Sequence, residues 1–404
     1  MRFLFLLLVS ALLASTSPNV HSTEIAYVTN KNDNTVSVID IASREVIATI
    51  QVGQRPDQVA FTPDGTKAYV SNAGNDFVSV IDVATNTVIE TITVGTIPLG
   101  VDVSPDGSIA YVVAGDQITV IDVLTDTVIG TISAGIIPLY VVFNPSGEYA
   151  YVTDSDGFLR VIDVAAGMDI FNITTPGVEP FYLDITPNGT TIFLSNTGGN
   201  IFVYDVSTTP DAPDFVDIIN TPLFSAFFAF SPDSSIAYVT KGNNSVNIID
   251  VDTLEIIETF QNAGNLGVAF TTDGQEAIAL KGFLQDEVSV INVENSEVVA
   301  NIQVGNNPYL LDITDFPSFS GIRRTNTFAM QTEYFDQLTW PTSLNPNIVS
   351  YRILENGQIL GEVSASDPLV FLARNRPKTL PVTYTLQALD ENGNVIATLT
   401  ATIP

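Results

Sequence analysis

The stretch Val36-Ser37-Val38-Ile39-Asp40 decides the fold, because it returns six times, as VSVID at 78–82, ITVID at 118–122, LRVID at 159–163, IFVYD at 201–205, VNIID at 246–250 and VSVIN at 288–292. The copies end at positions 40, 82, 122, 163, 205, 250 and 292, a period of 40 to 45 residues. Self-similarity at a fixed period of this size marks a repeat architecture. Upstream of each copy lies an alternating apolar segment with an aromatic at its centre: Tyr27, Tyr69, Tyr111, Tyr151, Phe193 and Tyr238, with Ile278 in the last. Downstream come a short turn, a strand such as Val46 to Ile50, and a Gly-x-x-Pro corner (Gly53/Pro56, Gly95/Pro98, Gly135/Pro138, Gly177/Pro180, Gly305/Pro308). A fourth segment such as Gln58 to Phe61 follows, closed by Pro63-Asp64-Gly65 or its equivalent. Period-two apolar runs of this length, bounded by Gly, Pro, Asn and Asp, read as strands and tight turns.

Four short strands per repeat, seven times over, predict an all-β fold, a seven-bladed β-propeller of four-stranded blades over residues 23–318. A β-helix has a shorter repeat and does not supply four turns. The phase of the repeat adds a detail. The first unit opens on its second strand, at Tyr27, and the last ends on a lone first strand, Pro308 to Ile313. Strand 308–314 is therefore expected to pair with Ile25 to Asn30 and close the first blade, which removes an open sheet edge. Beyond Ser318 the repeat stops. Seven alternating segments, with turns at Asn356-Gly357 and Asn392-Gly393, predict a small β-sandwich over 319–404. Trp340 is read as part of its core.

AYVTN at Ala26, VSVID at Val36, VGxxP at Val52 and TPDG at Thr62 resemble the YVTN-repeat β-propeller family of bacterial and archaeal surface or periplasmic proteins, over roughly residues 24 to 316. The match fades at Thr221-Pro222-Leu223-Phe224-Ser225 and Ala263-Gly264-Asn265, which lack the Gly-x-x-Pro spacing. In the tail, Leu338-Thr-Trp340, Ser350-Tyr351-Arg-Ile353 and Tyr384-Thr-Leu386 resemble a fibronectin type III-like domain.

Composition narrows the chemistry. The 404 residues include 14 Lys+Arg against 45 Asp+Glu, a net charge of −31, with no cysteine and one histidine. Thiol nucleophiles, disulfides, iron–sulfur clusters and cysteine-bound zinc are excluded, and a metal site or triad built on several imidazoles is excluded too. The charge repels phosphate backbones, so nucleic acid is not an expected partner. The acidity belongs to the repeat: residues 23–319 hold 7 Lys+Arg and 38 Asp+Glu, while 320–404 hold 6 and 7. Residues 1–22, with Arg2, an apolar run from Phe3 to Ala14 and the end Val20-His21-Ser22, read as a signal peptide cut before Thr23. That run falls short of the roughly 20 residues a membrane span needs. An extracytoplasmic location is expected, in the periplasm or at the cell surface after secretion, without membrane insertion, and so is a monomer.

Candidate site residues lie on the first strands. Those following the corner proline give an apolar and aromatic arc, Leu139, Tyr140, Phe181, Tyr182, Phe227 and Tyr309, expected at one mouth of the ring either as a ligand-binding surface or as a plug of the channel. Farther along, Asp102, Asp184 and Asp312 occupy equivalent positions, where they either hydrogen-bond to neighbouring blades or gather a divalent cation such as calcium. No other cofactor is expected and no catalytic residue is assigned. The aspartates that end the VSVID copies recur too often for catalysis and read as turn caps. The function these features imply is a non-catalytic exported scaffold that offers one mouth to a protein, peptide or glycan. Two alternatives rest on resemblance to propellers of known activity: a lactonase-type hydrolase or lyase using Asp102, Asp184 and Asp312 with Arg55 or Arg160, and an accessory subunit of a periplasmic redox complex.

Overall fold

In the computed structural model the described residues are 24–175, 179–221, 225–282, 285–315, 320–328, 331–339, 349–355, 357–364, 370–373, 382–389, 393 and 395–403. The leader expected at 1–22 and Trp340 lie outside them. Every regular element among them is a strand. Seven four-stranded antiparallel sheets follow one another from Glu24 to Asp315, and numbering them along the chain gives each a first, innermost strand and a fourth, outermost one. The innermost strands of sheets 2 to 7 are Pro56–Phe61, Val101–Val103, Pro138–Phe143, Pro180–Ile185, Ser225–Phe230 and Val268–Phe270. In sheet 1 the innermost strand is Pro308–Asp315, paired with Glu24–Asn30 in the register Ala26 to Ile313 and Val28 to Leu311. Each innermost strand packs on that of the next sheet, and Val268–Phe270 packs on Pro308–Asp315, so the circle closes.

The alternation read from sequence has a direct physical outcome. Tyr27, Tyr69, Tyr111, Tyr151, Phe193 and Tyr238 are fully buried between sheets. A buried phenol still needs a partner, and several reach forward to the next sheet: Tyr27 Oη donates to Asn86 Oδ1 (2.6 Å), Tyr69 Oη to Asp126 Oδ1 (2.6 Å) and Tyr151 Oη to the Pro210 carbonyl (2.8 Å). At the opposite end of the same strands Thr29 Oγ1 donates to the Asp57 carbonyl (2.8 Å) and Thr153 Oγ1 to the Phe181 carbonyl (2.9 Å). Sheets 1 and 4 are thus pinned to their successors at both ends. Gly100 and Gly267 let the innermost strands approach, since a Cβ on Gly100 would lie 2.7 Å from Tyr140 Cα and one on Gly267 3.0 Å from Leu310 Cα.

The outermost strands are edges and share one device. All seven carry a bulge, and the extra residue is Ile47, Ile89, Ile129, Ile170, Val216, Ile257 or Val299, each exposed. A bulge twists an edge away from pairing with another chain.

The tail contains a three-stranded sheet (Ser320–Phe328, Gln331–Thr339, Val370–Ala373) and a four-stranded one (Gln358–Ser364, Ser350–Glu355, Val382–Leu389, Val395–Ile403). Leu338 and Ala373 of the first share an apolar core with Tyr351, Ile353, Tyr384 and Leu386 of the second. Its start differs from expectation. The sequence suggests strands at Thr327 to Tyr334 and Asp336 to Trp340, whereas one long hairpin pairs Ser320 with Thr339 and Phe328 with Gln331. The run Arg323-Arg324-Thr325-Asn326 has no apolar alternation, so only cross-strand pairing marks it as a strand.

Ring closure makes a testable demand. A chain ending at residue 315 keeps a cooperative thermal transition by circular dichroism and runs as a compact species in gel filtration. A chain ending at 306 exposes the edge of Glu24–Asn30, loses the sharp transition and self-associates.

Candidate functional site

The innermost strands all start at one end of the ring, here called the corner end, and run toward the far end, where the Pro-Asp-Gly turns lie. At the corner end, rings from four sheets meet edge to face. Centroid separations are 5.6 Å for Tyr140–Phe181, 5.3 Å for Tyr140–Tyr182, 5.5 Å for Phe181–Phe227, 5.2 Å for Tyr182–Phe227 and 5.3 Å for Phe227–Tyr309. Such tilted pairs attract beyond their burial alone. Tyr140 and Phe227 are buried, at 3% and 1% exposure, while Leu139, Phe181, Tyr182 and Tyr309 remain half-buried. Of the arc read from sequence as either a mouth surface or a channel plug, Tyr140 and Phe227 thus form a buried plug and the other four side chains stay partly exposed.

Beside this plug sits a polar cluster that the sequence did not single out. Lys31 Nζ lies 2.6 Å from Asp57 Oδ2 and 2.9 Å from the centroid of the Tyr309 ring. Tyr140 Oη donates to Asp57 Oδ1 at 3.1 Å. The Asp57 side chain is 2% exposed and that of Lys31 14%. Burial lowers the Lys31 pKa, and the Asp57 charge and hydrogen bond oppose that shift. Burial, with the Asp57 charge next, raises the Tyr140 phenol well above its ordinary value. The one sequence signal for the cluster was scarcity, since Lys31 is one of only seven bases in residues 23–319.

Asp102, Asp184 and Asp312 point inward from sheets 3, 5 and 1. Asp102 Oδ2 accepts from Phe143 N (2.7 Å) and Asp312 Oδ2 from Phe61 N (3.0 Å), each in the following sheet. Their second oxygens accept from Val103 N and Ile313 N, and Asp184 Oδ1 accepts from Ile185 N. Asp102 and Asp312 thus tie innermost strands together, whereas the Asp184 bond lies within its own strand. Among the described residues no three acidic or imidazole groups are arranged to hold a metal ion. Burial pushes Asp102 up to about 7, Asp184 to about 8 and Asp312 to about 6, with backbone N–H bonds opposing. The charges of Asp102 and Asp312 raise Asp184 further. A cleft of about 430 Å³ opens beside Asp184 at the far end, lined by Pro187, Pro232 and Thr271 among others. Of the two bases considered with these aspartates, Arg160 is taken up by Asp154 and Asp169, and Arg55 sits at the corner end, exposed.

Against this geometry, the model of the YNCE-like beta-propeller family matches residues 4–317. The chain belongs to that family. Among solved structures, a chain of Kuenenia stuttgartiensis hydrazine synthase is similar at 22% identity and a TM-score of 0.60, over 66% of this chain and 92% of that one. A functionally unknown protein from Desulfotomaculum acetoxidans DSM 771 is similar at 17% identity and 0.65, over 72% and 98%. Dihydro-heme d1 dehydrogenase NirN, in complex with DHE, is similar at 19% and 0.55, over 72% and 75%. At these identities the likeness is one of fold. No curated protein matches the chain in sequence.

Two features of this YNCE-like propeller are open to measurement. Because the folded-state pKa values of Asp102, Asp184 and Asp312 exceed the unfolded value of 3.8, the folded protein holds more protons between about pH 4 and pH 8. Their contribution to stability therefore declines as pH rises through that window. The melting temperature falls from pH 5 to pH 8, and Asp184→Asn flattens the slope and melts higher at pH 8. Separately, Lys31→Met strands a buried carboxylate and destabilises by about 3–5 kcal/mol in denaturant unfolding, whereas Lys31→Met with Asp57→Asn recovers most of the loss.

Proposed function

We propose that this chain is a non-catalytic, exported binding scaffold whose corner end takes a protein, peptide or glycan. The observation that carries the reading is the state of that end. Phe181, Tyr182, Leu139 and Tyr309 are half-buried beside the buried Tyr140 and Phe227. Half-exposed aromatics on a rigid support are what recognition surfaces are made of. The seven sheets are taken as the blades of one seven-bladed ring with YVTN-type repeats, and the tail as a fibronectin type III-like sandwich acting as spacer or second contact. The protein works as a monomer outside the cytoplasm after loss of residues 1–22. Its polar residues recur in register as caps and latches, which leaves little machinery for turnover, although a lactonase-type reaction at the axial carboxylates can be assayed directly.

A second reading has an observation of its own. Two structurally similar chains bear the names hydrazine synthase and dihydro-heme d1 dehydrogenase. By that likeness the chain serves as an accessory subunit in a redox complex. With one histidine and no cysteine, it supports a partner that carries the redox group.

Crosslinking of the exported protein in its host, compared with Phe181→Ala and Tyr182→Ala variants, tests the first reading. Partners are expected to be lost in both variants. Full retention of every crosslink by both sinks it, and a haem protein among the lost partners favours the second reading.

A further inference from the structure

The rim above the plug has a sector that the fold does not account for. The residue before the corner proline is Asn307 in sheet 1, Arg55 in sheet 2, Ile97 in sheet 3, Ile137 in sheet 4 and Glu179 in sheet 5. Asn307, Arg55 and Ile97 have φ of 57°, 52° and 51°. Asparagine suits this left-handed conformation, whereas a β-branched residue there is a true outlier. Ile97 is also 61% exposed, so packing does not offset its strain. Strain that the fold does not require points to function.

Ile97 is not isolated. Ile136 and Ile137, at the next corner, are 64% and 50% exposed. The two corners belong to innermost strands joined by Gly100 N to the Leu139 carbonyl at 3.0 Å, and the half-buried Leu139 and Phe181 continue the apolar surface inward. Exposed carboxylates surround it. Asp116 lies on the turn whose Gly115 faces Thr96, and Asp156 on the turn whose Ser155 N bonds the Ile137 carbonyl at 2.9 Å. Glu179 holds the next corner, and no ion pair engages these three among the described residues. Arg55, at the corner of sheet 2, is exposed on the opposite flank.

We propose that this sector, centred on Ile97 and Ile137, docks a partner protein through an apolar patch ringed by lysine and arginine. The proposal rests on reading the corner end as the binding face, and adds which sector binds and what it binds. An apolar centre with a charged rim is the arrangement of a protein interface, and an acidic rim selects a basic counterpart.

The test is selection of a phage-displayed random peptide library on the intact protein, with affinities measured for Ile97→Ser/Ile137→Ser, Asp116→Asn/Asp156→Asn/Glu179→Gln and Tyr182→Ala. Enriched peptides should combine aliphatic or aromatic residues with Lys or Arg. They should bind the double isoleucine variant about thirtyfold more weakly and lose most of their salt dependence on the carboxylate variant. Ile97→Asn, which fits the left-handed backbone, should raise the melting temperature while weakening binding, a pairing that a purely structural isoleucine would not give. Failure to enrich basic, apolar peptides, or equal binding by the isoleucine variant, overturns the proposal. Peptides that ignore the isoleucines but are lost with Tyr182→Ala leave the corner end as the binding face and remove only this sector. Peptides indifferent to every corner variant remove both.

Discussion

Antiparallel pairing of Pro308–Asp315 with Glu24–Asn30 joins segments nearly 300 residues apart, and the other six sheets depend on it. A sheet of four short strands has two free edges and one face too many to bury alone. In a circle, each sheet covers its neighbour, and the buried tyrosines and corner hydroxyls become useful only because a successor exists to receive them. Opening the circle at sheet 1 exposes the edge of Glu24–Asn30 and removes the Thr29 bond to Leu310 with it. Since no disulfide is possible in a chain without cysteine, the clasp at that point is non-covalent, with strand pairing its backbone.

The same constraint explains where the charge lies. Tight turns at the far end need side-chain acceptors, and Asp64, Asp106 and Asp233 each accept from the hydroxyls and amides on either side of them. Asp40, Asp82, Asp122 and Asp250 cap the next set of turns three residues on. Repeating a carboxylate-capped turn around a ring accumulates negative charge as a by-product of local geometry. The few bases are then informative. Arg44 and Lys67 neutralise far-end carboxylates, while Lys31 and Arg55 stand at the corner end.

The fold was legible because the repeat prints the same local decisions many times: strand, turn and corner residues agree in each copy, and the phase of the repeat even names the closing strand. The tail was less legible, since Ser320–Phe328 owes its strand to partners rather than to its own alternation. The site was legible by position only. Spacing put Tyr140, Phe181, Tyr182 and Phe227 on consecutive inner strands, but not how deep each ring sinks, which depends on the width of the axis. Lys31 and Asp57 are separated by two strands, Thr35–Asp40 and Glu45–Gln51, and nothing in their local sequence links them. The axial aspartates occupy equivalent positions in the repeat, but whether they face a cation or a backbone amide depends on the stagger between sheets, which one sequence does not encode in any local pattern.

That stagger also bears on what the axis can do. Asp102 and Asp312 spend both oxygens on amides, so neither is free to move a proton or hold an ion without loosening the strand it secures. Asp184 has one amide partner and faces the far-end cleft, which makes it the least committed of the three. Any chemical role at the axis would therefore fall first on Asp184. The corner end faces no such conflict. Its rings help hold the innermost strands of four sheets together, but the exposed side chain of Ile97 secures no strand, so a partner can be recognised there while the latches beneath keep the ring closed.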